Sequence, residues 1–169
     1  MSDRLGVAAT LVLGALFLAA HPTAEPQAAA TAETVHVVIT GGPKAGAYDA
    51  VGTKGGCSTG ANGPGSWGNA LSNPMGDPAA FNSLSLIVPD AKAAAGGTRQ
   101  FYASFGFGPL VKRTAELAIE TRPGEKKQTG SGTVTVKDSG ATALVTIDAQ
   151  TADGAKIHAT IDCKKVVRM

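Results

Sequence analysis

From residue 34 to the C-terminus the chain runs in short stretches of alternating apolar and polar residues, each closed by Gly, Pro, Asn or Asp. A period of two is the mark of strands with one buried face, and no segment here sustains the helical repeat needed for a long amphipathic helix. These constraints predict an all-β chain, read as a single-domain antiparallel β-sandwich of about seven or eight strands, with a small β-barrel as the alternative.

The strands can be placed one by one. Residues 34–40 (Thr-Val-His-Val-Val-Ile-Thr) are rich in β-branched side chains, and Gly41-Gly42-Pro43 then turns the chain into a partner strand around 46–51. Residues 83–88 alternate and stop at Pro89; one short helical turn is predicted near 90–95, closed by Gly96-Gly97. In residues 99–108 the side chains of Phe101, Ala103, Phe105 and Phe107 fall on one face, and 112–121 repeats the theme with Ala115, Leu117 and Ile119. Residues 132–137, 141–149 and 155–164 form a three-strand meander, because Asp138-Ser139-Gly140 and Ala152-Asp153-Gly154 carry the chemistry of tight hairpins.

Between these strands, residues 52–78 are dense in Gly, Pro, Asn and Ser and read as one long loop. Loops of that length in compact domains are where function concentrates. Within it Trp67 and Asn69 are the candidate binding residues, since an indole offers a large apolar face with a polar N–H to a protein or a sugar, or else folds back to cap the core.

Ahead of the β region, residues 5–20 are apolar and follow a short start containing Arg4, the layout of a secretory signal helix with a small-residue linker over 1–30. The run falls short of the roughly 18 to 20 apolar residues of a permanent anchor. Removal would leave about 140 residues, one β domain over 31–169 with no stable membrane span, in the periplasm or secreted. In an oxidising space the two cysteines, Cys57 and Cys163, are expected to pair. Closing a loop of roughly 100 residues contributes on the order of 4 to 5 kcal/mol by loss of unfolded-state entropy.

Net charge is +2, and the basic pairs are scattered rather than gathered on one face, so nucleic acid is not an expected partner. Gly56-Cys57-Ser58-Thr59-Gly60 fits a nucleophile-elbow pattern, with Asp148 and His158 following in the order used by α/β hydrolases. That elbow needs a strand entering a helix, which the flanking glycines do not provide. His36 and His158 lack a third metal ligand, alternation puts His158 on a polar face, and Asp148, Asp153 and Gly154 lack the spacing of a calcium loop. No metal or other cofactor is implied. The functional expectation is an exported, non-catalytic envelope or secreted domain that binds a protein or glycan partner through 52–78. The alternatives are a small exported hydrolase using Ser58 and His158, or an apolar-ligand carrier with a cavity behind the Phe-rich strand.

Overall fold

A computed structural model describes residues 33–73, 77 and 79–169. The expected signal helix and linker, and part of the region before Phe81, lie outside the described residues. Among the described residues eleven strands form two open sheets, so the sandwich is the architecture and the barrel is not.

The five-stranded sheet has the order β2-β1-β10-β9-β8 and is antiparallel throughout. Its members are β1 (Thr34–Thr40), β2 (Gly46–Val51), β8 (Ser131–Asp138), β9 (Ala143–Gln150) and β10 (Lys156–Cys163). The six-stranded sheet has the order β11-β3-β4-β5-β6-β7. It contains β3 (Lys54–Thr59), β4 (Trp67–Ser72), β5 (Phe81–Val88), β6 (Tyr102–Phe107), β7 (Ala115–Glu120) and β11 (Val166–Arg168). Only β11 runs parallel to its neighbour, pairing Val166 with Cys57.

Each sheet buries the alternate residues that the sequence marks as apolar. Val35, Val37 and Ile39 of β1 meet Ile157, Ala159 and Ile161 of β10 along the inner face, and the other sheet contributes Leu84, Leu86, Ala103, Phe105 and Ile119. Phe81, Phe105, Phe107 and Tyr48 touch as rings, with centroids 5.1 to 6.3 Å apart. They pack against one another within the core. The expected helical turn is α1 (Ala91–Ala94), with Asp90 as its cap accepting from the Ala93 N–H at 3.0 Å. The tight connector after β8 works as its sequence suggests: Gly140 adopts φ 91°, and its N–H donates to Asp138 Oδ1 at 2.8 Å.

Two expectations need correction. Residues 52–78 are not one long loop: β3 and β4 form a hairpin around the turn 60–66, and Gly60 N–H donates to Ser66 O at 3.0 Å. Among the described residues eleven strands replace the expected seven or eight, because β3 and β4 carry little β-propensity of their own and β11 is only three residues long. Their partners supply the order. Cys57 and Cys163 are joined, and the bond links the end of β10 in one sheet to β3 in the other. A formed disulfide is the state of a protein that matures in an oxidising environment.

Candidate functional site

Alternation that buries Val35, Val37 and Ile39 turns Thr34, His36, Val38 and Thr40 outward, and the same rule applies on β10, β9 and β8. The outer face of the five-stranded sheet is therefore built of rows set by register. One row reads Asp49, His36, Thr160, Thr146, Thr135 across β2, β1, β10, β9 and β8; the next reads Ala47, Val38, His158, Asp148, Thr133. Lys156 and Thr40 stand beyond the second row, Asp162 and Thr34 beyond the first.

Two contacts order this face. His36 Nδ1 lies 2.7 Å from Asp49 Oδ1, and His158 Nδ1 lies 2.6 Å from Asp148 Oδ1. A carboxylate only accepts, so in both pairs Nδ1 is the donor and the neutral ring keeps its lone pair on Nε2. All four side chains are exposed, at 47% and 84% for the first pair and 51% and 67% for the second. As ion pairs in water they add little to stability. In the structure each carboxylate orients its ring. A shallow depression of about 370 Å³ runs beside His158 and is lined also by Val38, Thr40, Ser131, Asp148 and Gln150.

The hydrolase constellation does not assemble. Ser58 alternates with the inward Cys57 and so lines a trough on the outer side of the six-stranded sheet, whereas His158 and Asp148 are on the outer side of the other. The core separates them. Thr133, the hydroxyl directly opposite Asp148, is on the carboxylate's far side from the imidazole.

The sequence-derived binding residues occupy the interior. Trp67 is fully buried and Asn69 is 3% exposed, both on the inner side of β4 with Leu71. In this conformation neither presents a face to a partner, so the contact role is replaced by core filling for Trp67 and by an internal polar cluster for Asn69. Asn69 Nδ2 donates to Glu33 Oε2 at 2.6 Å, and that oxygen also lies 3.3 Å from Cys57 Sγ. The oxidised sulfur has no proton to give, so the second contact is one of proximity.

Burial pushes the Glu33 carboxyl up from 4.5 to about 7, against the opposing pull of the Asn69 hydrogen bond. Glu33, Cys57 and Cys163 have ligand-type atoms within 4.8 Å of one another, but sulfurs bonded to each other are not thiolate ligands. Sequence reasoning missed Glu33, which sits one residue before the first strand. No local pattern distinguishes it there from a solvated charge.

No protein-family model matches the chain, and comparison with the curated proteins and with the solved structures found no match.

Proposed function

We propose that this chain is an exported, non-catalytic binding domain of the cell envelope or the secreted space, and that it recognises a protein partner through the outer face of its five-stranded sheet. The observation that carries this reading is the pair of imidazoles held by Asp49 and Asp148 on adjoining rigid strands. Polar groups already fixed in position lose little entropy when a partner docks, which is how preorganised surfaces gain affinity. The disulfide supports an oxidising address.

A protein partner fits better than a glycan. Sugar recognition draws on exposed aromatic faces, and here Trp67 is internal, Tyr48 is packed edge-on against Phe107, and Tyr102 lies beneath the Arg122 guanidinium. The face instead offers threonine hydroxyls, imidazoles and carboxylates, the donor and acceptor mix of a protein interface.

Partner capture from the exported fraction, followed by quantitative mass spectrometry, tests the reading. Thr146→Arg places a long cation at the centre of the face, and Ala61→Arg does the same on the turn between β3 and β4. Loss of the captured partner with Thr146→Arg and its retention with Ala61→Arg is the expected result. The reverse pattern would move recognition to the turn at 60–66 and contradict the assignment.

A further inference from the structure

His36 and His158 are diagonal neighbours. His36 is opposite Thr160 and His158 is opposite Val38, so the two histidines flank the inward pair Val37 and Ala159 symmetrically. Diagonal positions on adjacent antiparallel strands lie about 7–8 Å apart at Cα and less at the side chains. The other corners of this square, Thr160 and Val38, are shorter than imidazole, so neither blocks the space between the rings.

The carboxylates lie on the outer sides of this pair. Asp49 is on β2, beyond β1, and Asp148 is on β9, beyond β10. The two nitrogens of an imidazole point to nearly opposite sides of the ring. With each Nδ1 drawn outward to its carboxylate, each Nε2 is turned back toward the seam between β1 and β10. Among the described residues no hydrogen-bond partner holds either Nε2.

This is the outer-shell arrangement of metal-binding histidines, in which a carboxylate on one ring nitrogen fixes the tautomer and raises the basicity of the other. We propose that His36 and His158 form a two-imidazole site for a divalent transition-metal ion of the Zn²⁺ class, oriented by Asp49 and Asp148. Imidazole nitrogens suit such ions, with bonds of about 2.0–2.1 Å. Lys164 offsets Asp162, and Asp49 and Asp148 still outnumber Lys156 around the site, so the local charge favours a cation. Asp162 is engaged by Lys164 and is not counted as a ligand.

Two protein ligands leave the ion's remaining positions to water or to a partner's side chain. The site shares its face with the proposed recognition surface, yet uptake of Zn²⁺ by the isolated protein needs no partner. Either proposal can fail without the other.

Isothermal titration of Zn²⁺ into the exported protein provides the test, with His21→Gln in every sample to remove the remaining imidazole of the chain. One Zn²⁺ per chain is expected, with affinity falling at least tenfold in His36→Gln and again in His158→Gln. Both substitutions are at exposed positions, and thermal melting checks that the fold is kept. Asp148→Asn is expected to weaken binding by about 10- to 100-fold. Absence of saturable uptake at millimolar Zn²⁺ would overturn the site, as would uptake that survives either histidine substitution in a folded protein.

Discussion

Glu33 shows how one residue imposes a pH dependence on the whole fold. Its side chain is buried beside the disulfide, and its carboxyl titrates near 7 instead of 4.5. Between those values the native protein keeps a proton that the unfolded chain has lost. The native state is thus favoured fully below pH 4.5, and that advantage disappears as pH rises through about 7. The shift corresponds to a loss on the order of 3 kcal/mol.

Glu33→Gln removes the charge while keeping the shape. Its urea midpoint should match the native protein at pH 4 and exceed it at pH 8, and coincident midpoints at pH 8 would contradict this account of Glu33. The neutral acid also carries an O–H. Asn69 Oδ1, buried and without a partner, can accept it once the amide rotates, and Glu33 Oε1 is unpaired in the same cluster. Trp67 was harder to read from sequence: the glycines around it signal a loop, but Trp67, Asn69 and Leu71 also have a period of two. In the structure that weaker period sets the inner face of β4, where the indole lies.

At the scale of elements, legibility followed β-propensity. Strands β1, β2, β5 to β7 and β8 to β10 announce themselves by alternation and by their turns, whereas β3 reads Lys-Gly-Gly-Cys-Ser-Thr and has almost none of either. It is a strand because β4 pairs with it on one side, β11 on the other, and the disulfide holds it. Its glycines permit that pairing. Gly55 has φ 97°, and a Cβ there would come 1.7 Å from the Ala70 carbonyl oxygen of β4. Gly55→Ala must break the β3–β4 register or displace backbone, a destabilisation of at least about 2 kcal/mol. Denaturant unfolding measures it, and a variant as stable as the parent would show that this close approach is not required.

At the scale of the molecule, the limit on reading was contact between distant segments. The sequence marks His36 and His158 as strand residues and puts His158 on a polar face, but nothing local places β1 against β10. That pairing joins the first strand of the domain to the tenth and creates the diagonal of imidazoles. The same closure brings Cys163 to Cys57 across the two sheets, a pairing that cysteine count and compartment did make legible. The position of the candidate site was illegible for the opposite reason: 52–78 had the composition of a binding loop, and its residues became a hairpin with an inward-facing Trp and Asn.

Recognition through the outer face of the five-stranded sheet is most directly tested by mapping backbone and histidine-ring NMR perturbations when the captured partner is added. The expected footprint covers the outward residues of β1, β10 and β9, centred on His36, Thr160, Thr146 and His158, with the six-stranded sheet unaffected. Perturbations confined to the turn at 60–66 or to the outer side of the six-stranded sheet would contradict it.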